Sequence, residues 1–145
     1  LNYRKALIFF SSSSGISIDI AAGNSFVTVG QDCTINRWKL PHTSNTVGGV
    51  ICEQTDSINL DGVAHAVSHI ANSSEFVTCG DGVTVWGAQG NKRIREYDVG
   101  HDTVHTIRAN PIEEAVLVTM KLRPNRIAWN PIEAYTFAVA SDDYK

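Results

Sequence analysis

Residues 25–40 read Ser-Phe-Val-Thr-Val-Gly-Gln-Asp-Cys-Thr-Ile-Asn-Arg-Trp-Lys-Leu and hold two short runs of β-branched and aromatic residues. Phe26–Val29 is the first run and Thr34–Lys39 the second, and such residues favour strands. Gly30 and Asp32 lie between them. Glycine can adopt the positive φ of a tight turn, and aspartate can hydrogen-bond its own backbone. The stretch therefore predicts a β-hairpin.

The same pattern returns 50 positions later, where Phe76-Val-Thr-Cys-Gly80 matches Phe26-Val-Thr-Val-Gly30. Gly80-Asp-Gly-Val-Thr-Val-Trp86 then repeats the turn and the second strand in a shorter form. A repeat period of roughly 20 to 50 residues is typical of repeat architectures. A unit of roughly 40 residues, with four short strands and a terminal Trp, predicts a blade of a β-propeller.

Residues Phe26–Trp38 resemble the inner part of a WD-repeat blade, and Gly100-His101 resembles the Gly-His that opens such a blade. The resemblance extends over about residues 15–145, with one interruption. It implies an all-β, WD40-type β-propeller that is incomplete, with about three to four partial four-stranded blades of an expected seven.

The length of the chain supports this expectation of incompleteness. Seven blades of ~40–45 residues need roughly 300 residues, whereas this chain has 145, of which 43% are hydrophobic. An open arc of blades leaves free strand edges and an unclosed core. We therefore expect a fragment, or the ordered part of a longer chain, which agrees with a start at Leu1 rather than at Met.

We expect residues 1–14 to be a poorly defined N-terminal segment or the edge of a preceding blade, and residues 15–145 to be the partial propeller. The blades are expected at approximately residues 15–60, 61–99, 100–122 (interrupted) and 123–145 (truncated). The expected strands are Ile16–Ile20, Phe26–Val29, Thr34–Lys39, an outer strand within Val50–Leu60, Ala66–Ile70, Phe76–Cys79, Val83–Trp86, Arg93–Tyr97, Val104–Asn110, Ala115–Thr119, Ile127–Trp129 and Tyr135–Ala140.

The tetrapeptide Asn-Pro-Ile-Glu occurs at Asn110 and again at Asn130, and each copy precedes an apolar run. Proline cannot donate to a strand ladder, so Asn-Pro ends a strand and begins a turn. Equivalent turns of successive blades should lie one blade apart, but these two lie half a blade apart. We therefore expect roughly 20 residues, the third and fourth strands of that blade, to be absent near Thr119–Lys121.

The WD-repeat resemblance also implies a structural network that joins a His, a turn Asp, a strand Ser or Thr and a strand Trp in each blade. Buried polar groups need partners, and these four side chains satisfy one another. Asp81 lies in the shortened turn of the second blade, and its match to this pattern is left open. The matching residues are Thr28, Asp32 and Trp38 in the first blade, Thr78 and Trp86 in the second, and His101 and Thr119 in the third.

The C-terminal part resembles the Sof-type WD-repeat family more closely than a generic blade, above all in Trp129-Asn-Pro-Ile-Glu-Ala-Tyr135. This resemblance implies a nucleolar subunit of the small-subunit processome, with other processome proteins, U3 small nucleolar RNA and pre-ribosomal RNA as partners. It also implies an alternative, a substrate receptor or adaptor subunit of a cullin–RING ubiquitin ligase or of another protein complex. The segment expected to contact the ligase lies in the stretch that we expect to be absent.

Lys121, Arg123 and Arg126 form a local basic cluster that could contact RNA phosphate or an acidic partner, or could be a solvated edge. The net charge of −3 and the pI of about 5.9 exclude a basic field over the whole chain. The longest early apolar run, Ala6–Phe10, is far shorter than the ~20 residues of a membrane-spanning helix.

The sequence favours a non-enzymatic protein without cofactor, metal or small-molecule substrate. The three cysteines lack Cys-x-x-Cys spacing, which favours reduced thiols in the cytosol or nucleus.

A hydrolase is the alternative function from a different class of protein. His65 and His69 lie four residues apart, but on a strand this separates them by ~13 Å, too far to share a metal. Asp98, His101 and Ser68 lack the nucleophile turn of a triad.

Overall fold

The computed structural model describes residues 7–8, 15–21, 24–40, 50–88, 92–100, 103–113, 116–120 and 124–141. The regular elements of these residues are all strands, and none is a helix that could cross a membrane. The strands are β1 Leu7–Ile8, β2 Gly15–Ala21, β3 Ser25–Gly30, β4 Thr34–Lys39, β5 Val50–Ile51, β6 Glu53–Asn59, β7 Ala66–His69, β8 Phe76–Cys79, β9 Val83–Trp86, β10 Arg93–Tyr97, β11 Val104–Ala109, β12 Val116–Met120, β13 Pro124–Trp129 and β14 Phe137–Ser141.

The strands form four successive antiparallel sheets, which confirms the all-β fold class. In the first sheet the order is β2-β3-β4-β6, and in the second it is β7-β8-β9-β10. The third sheet holds β11 and β12, and the fourth holds β13 and β14. Each full sheet is a meander of neighbouring strands, as the repeated hairpin predicts.

The two near-duplicate segments occupy the same register in two different sheets. Phe26 lies opposite Trp38 in the first sheet, and Phe76 lies opposite Trp86 in the second. Each pair of rings is stacked, with centroids 6.0 and 6.3 Å apart. The repeat in the sequence is therefore a repeat of sheets.

The hydrophobic core lies between neighbouring sheets, because alternate residues of each strand face opposite sides. One cluster joins the first and second sheets and includes Val27, Ile35, Val67 and Phe76. A second cluster joins the second and third sheets. Its buried members are Ala66, Val77, Cys79, Val83, Val104 and Ile107.

Three expected strands differ from the structure by more than one residue at an end. One of them is β13, which begins at Pro124 rather than at Ile127. The outer strand expected within Val50–Leu60 is divided: β6 pairs with β4, whereas β5 pairs in parallel with β1. The strand expected from Tyr135 begins at Phe137, because the Asn130 amide donates to the Thr136 carbonyl and keeps Tyr135 in a turn. Most of the N-terminal segment 1–14 lies outside the described residues.

The positive φ of the first hairpin turn belongs to Cys33, at 57°, and not to Gly30, where we expected it. Gly30 is instead the last residue of β3, with Gly15 of β2 as its partner. Asp32 accepts hydrogen bonds from the Thr34 amide at 3.2 Å and the Thr34 hydroxyl at 2.8 Å. The aspartate therefore closes the turn around the strained cysteine.

The third sheet has two strands where the first and second have four. Residues 121–123 alone separate β12 from β13, and three residues are too few to form two further strands. The sequence is continuous across this point. The place where we expected residues to be absent, near Thr119–Lys121, therefore lies at the end of a sheet for which two strands are described instead of four.

Candidate functional site

The first and second sheets share a buried pair of a Trp and a Thr. Trp38 Nε1 donates to Thr28 Oγ1 at 2.9 Å, and Trp86 Nε1 donates to Thr78 Oγ1 at 2.8 Å. All four residues are buried. A buried indole N–H needs an acceptor, and the threonine two residues after each Phe supplies it.

The other residues of the expected network take different positions. Asp32 closes its own turn, and Asp81 is exposed in the turn of the second sheet. Thr119 lies in β12 opposite Thr106, but its side chain is outside the described part of the chain. His101 also lies outside the described residues, so the network of the third blade stays a prediction.

Arg37 connects the first sheet to the second. Its guanidinium donates to the Ala88 carbonyl at 2.5 Å and to the Gly87 carbonyl at 2.8 Å. The same group lies 5.0 Å from the centre of the Phe76 ring. Burial is the main reason why the pKa of Arg37 is lowered, and Asp56 acts in the opposite direction. The Arg37 side chain therefore holds the first sheet against the second.

Replacing Arg37 by methionine should lower the free energy of unfolding by about 2 kcal/mol, since two charge-assisted hydrogen bonds and a cation–π contact are lost. Arg37→Lys should restore less than half, because an ammonium does not match two carbonyls as a guanidinium fork does. Urea unfolding followed by Trp fluorescence measures both. Arg95→Met, at an exposed residue whose guanidinium donates to the Tyr97 hydroxyl, is the matched control and should leave the free energy of unfolding nearly unchanged. Equal losses at Arg37 and Arg95 would contradict the role of Arg37.

Side chains on the inner strands make further contacts between sheets. Asp19 Oδ2 accepts a hydrogen bond from the His69 amide at 2.6 Å, and Ser68 Oγ accepts one from the Ala109 amide at 3.1 Å. Burial raises the pKa of Asp19, but the hydrogen bonds and charge of His69 outweigh burial, so that the pKa is lowered. The ionised carboxylate is therefore the form that stabilises the contact between sheets.

The lowered pKa of Asp19 predicts a loss of stability in acid. Its contribution should be fully present above the unfolded-state pKa of about 3.9 and should disappear as the pH falls through the lower folded-state pKa. The difference in unfolding free energy between wild type and Asp19→Asn, measured by urea titration, should therefore shrink below about pH 4. A difference that is constant from pH 7 to pH 2 would refute this role.

The two histidines considered as metal ligands have separate surroundings. The His65 ring lies 5.6 Å from that of His105, and the His69 ring lies 5.9 Å from that of Phe76. Within the described ranges, no three His, Cys, Asp or Glu side chains form a group that could hold a metal.

Burial raises the pKa of Cys79 to about 12, which keeps its thiol protonated at neutral pH.

A cavity of about 180 Å³ opens beside the turn of the second sheet. Thr78 and Trp86 line it, together with Asp61 and Arg93, which form an ion pair at 3.1 Å. The adjacent Gly62 leaves room here, since a Cβ at this position would lie 3.1 Å from an oxygen of Asp81. Asp61 and Arg93 are both exposed, so the cavity offers charged hydrogen-bonding groups to solvent.

The two Asn-Pro-Ile-Glu segments form corners of the same geometry. In each, the asparagine Oδ1 accepts hydrogen bonds from the amides two and three residues later, at 2.8 and 3.2 Å for Asn110 and at 2.9 and 3.2 Å for Asn130. Asn110 also donates its side-chain amide to the Ala134 carbonyl of the neighbouring corner. The third and fourth sheets are therefore held together at their corners.

These corners present apolar side chains to solvent. Ile132 is 85% exposed and Tyr135 84% exposed, and Ile112 is also exposed at the equivalent place of the first corner. Arg126 is exposed on β13, whereas Lys121 and Arg123 lie outside the described residues. We call Ile112, Ile132 and Tyr135 the corner surface. It is suited to protein contacts, because exposed apolar and aromatic residues mark such sites. The sequence patterns predicted these turns, but they did not predict that the apolar side chains of the turns are exposed.

Comparison with curated proteins finds similar chains. "DDB1- and CUL4-associated factor 13" of Danio rerio is 32% identical over 144 residues, covering 84% of this chain and 32% of that protein. The protein of the same name in Homo sapiens is 32% identical over 95 residues and 66% of this chain. "Protein sof1" of Schizosaccharomyces pombe is 28% identical over 91 residues, 48% of this chain. No family model matches the chain.

The chain thus spans about a third of the length of the zebrafish protein. The match extends over 144 positions but takes up only 84% of 145 residues, so about 22 positions of the relative have no counterpart. The place of these positions along the chain is not given by this match, so the absence of roughly 20 residues near Thr119–Lys121 stays a prediction.

Comparison with solved structures identifies the fold. The β-propeller domain of Cps50 (Swd1) from Myceliophteria thermophila superposes with a TM-score of 0.66, at 11% sequence identity. The match covers 77% of this chain and 38% of the propeller domain. The successive sheets are therefore arranged as blades of a partial WD40 β-propeller.

Proposed function

The chain is a WD-repeat β-propeller protein similar to protein sof1 and to DDB1- and CUL4-associated factor 13, and from this premise we propose that it is a non-catalytic scaffold of ribosome biogenesis. It acts in the nucleolus as a subunit of the small-subunit processome, and its partners are processome proteins, U3 small nucleolar RNA and pre-ribosomal RNA. The likeness of the Trp129–Tyr135 segment to Sof-type proteins carries this proposal.

The corner surface is the part of the fold best suited to this work. Its side chains stand on turns that are fixed by asparagine hydrogen bonds and joined across two sheets. A rigid turn loses little conformational entropy when it binds, which favours affinity. Ile132 and Tyr135 can be buried by a partner without any change in the fold. The basic Arg126 on the adjacent strand can meet RNA phosphate or an acidic side chain.

Affinity purification of the tagged chain from nucleolar extract tests the proposal. U3 RNA and processome proteins should be enriched with the wild-type chain. The double variant Ile132→Ser/Tyr135→Ser should reduce this enrichment about tenfold or more, as expected for central interface residues. Ile20→Ser, at another exposed isoleucine on β2, is the matched control and should retain binding. Absence of U3 RNA from the wild-type sample would refute the processome assignment.

A second candidate is an adaptor of a cullin–RING ubiquitin ligase, which the printed name of the zebrafish and human relatives favours. The Sof-type resemblance implies that the ligase contact lies in the stretch that we expect to be absent after β12. A pull-down of purified DDB1 by the 145-residue chain decides between the two. Binding by the chain itself would favour the adaptor, and binding only after insertion of the zebrafish segment would assign the contact to that segment. Absence of binding in both forms would refute the adaptor.

A further inference from the structure

The outer edge of β12 is an open strand edge. β12 pairs with β11 on one side, and no described residue forms a strand on the other side. The second strands of the two complete sheets, β3 and β8, have partners on both sides. Backbone N–H and C=O groups along the free edge of β12 are therefore able to pair with an added strand.

Phe137 of the fourth sheet corresponds to Phe76 of the second. Each residue begins the second strand of its sheet. Phe76 contacts the first sheet. Phe137 packs edge-on against Trp129, whose Nε1 donates to the Arg108 carbonyl of the third sheet. Phe76 is 1% exposed, whereas Phe137 is 48% exposed. Val139, two residues later, is exposed as well.

The cover of Phe76 comes from the third strand of the preceding sheet. Ile35 of β4 lies in the same buried cluster as Phe76, and Arg37 of β4 places its guanidinium over the ring. The third sheet, as described, has no strand in this place. The fourth sheet, as described, also has no third strand, so Phe137 has no counterpart of Trp86, which stacks on Phe76. The exposure of Phe137 and Val139 thus follows from the neighbours that are missing in the third and fourth sheets.

We propose that the free edge of β12, together with Phe137 and Val139, is an acceptor site for an extended strand supplied by another protein. The added strand runs antiparallel to β12, as third strands do in the complete sheets. It presents an apolar side chain and, two residues later, an arginine, because Ile35 and Arg37 have this spacing where they cover Phe76. The backbone provides affinity and these two side chains provide specificity.

A labelled peptide with the sequence of residues 34–40, Thr-Ile-Asn-Arg-Trp-Lys-Leu, is the probe, and fluorescence anisotropy with the 145-residue protein measures binding. The peptide should bind, and a peptide with Ile35→Ser and Arg37→Ala should bind at least about tenfold more weakly. The protein variant Phe137→Ser/Val139→Ser should weaken binding similarly, whereas Ile20→Ser should not. Hydrogen exchange should show new protection in β12.

Several results would overturn the proposal. Equal binding of the two peptides would show that the Ile-x-Arg pattern is not recognised. Unchanged binding by Phe137→Ser/Val139→Ser, or protection outside β12, would place the peptide elsewhere. Dimerisation of the protein alone, with β12 already protected and the peptide excluded, would assign the site to a second copy of the chain. Both substituted residues are exposed, so the double variant is expected to fold.

Discussion

Replacing Phe76 by alanine is expected to lower the free energy of unfolding by about 3–5 kcal/mol, a large fraction of the stability of a domain. The ring lies in the cluster between the first and second sheets and stacks on Trp86. The guanidinium of Arg37 lies 5.0 Å from the centre of the ring. Removing the ring leaves a cavity. The two sheets cannot close this cavity, because hydrogen bonds hold their strands in place. Urea unfolding monitored by Trp fluorescence measures the loss.

Phe137→Ala is the matched control for Phe76→Ala. The same residue type begins the second strand of another sheet, but about half of its surface is exposed, so the loss should be less than about 1.5 kcal/mol. If Phe76→Ala does not fold well enough to measure, Phe76→Leu should show an intermediate loss. Equal effects at Phe76 and Phe137 would contradict the packing described between the sheets.

Replacing Gly80 by alanine is expected to cost about 3 kcal/mol, for a reason that lies in the backbone. A Cβ at this position would overlap the carbonyl oxygen of Val63, a backbone atom. Gly80 cannot move away easily, because its amide donates to the Gly82 carbonyl at 2.9 Å and its carbonyl accepts from the Val104 amide at 2.8 Å. The substitution should also weaken the contact between the second and third sheets.

Gly87→Ala separates this clash from a general effect of glycine. The nearest atom to a Cβ at Gly87 is Cδ1 of Ile94 at 3.5 Å, which is an ordinary contact. We therefore expect a change within about 0.5 kcal/mol, measured by thermal and urea unfolding. Comparable losses in Gly80→Ala and Gly87→Ala would show that the approach of Val63 to Gly80 is not tight.

The sequence was sufficient to predict the sheets and their repetition. A near-identical segment such as Phe76–Gly80 is expected to adopt the same local structure as Phe26–Gly30, since both are short runs of aromatic and β-branched residues that end in glycine. The spacing of the two Asn-Pro-Ile-Glu segments likewise pointed to the shortened third sheet. These predictions depend on local pattern, which a single sequence contains.

The contacts between sheets could not be predicted in the same way. Arg37 is a polar residue on a strand, and nothing nearby in the sequence indicates that it lies over Phe76 or reaches Gly87. Gly80 has the sequence pattern of a turn glycine, whereas the structure places it against Val63. Such contacts depend on how the sheets are inclined to each other, and this angle is a property of the assembled propeller.

The sequence pattern also did not predict which hydrophobic side chains are exposed. Phe137 and Tyr135 belong to a run that predicts a strand, and hydrophobic residues in a strand are usually buried. Tyr135 is instead in a turn, and Phe137 is exposed because neither the third nor the fourth sheet has a third strand among the described residues. The corner surface and the acceptor site both follow from what surrounds these residues.

Nuclear Overhauser contacts in a protein with labelled Phe, Arg and Trp test the central claim, that the two duplicate segments are the same position in neighbouring sheets. We predict cross-strand contacts within the pairs Phe26–Trp38 and Phe76–Trp86, and side-chain contacts from Arg37 to the Phe76 ring. Cross-strand backbone contacts between residues 26–29 and 76–79 would place both segments in one continuous sheet and would contradict the propeller.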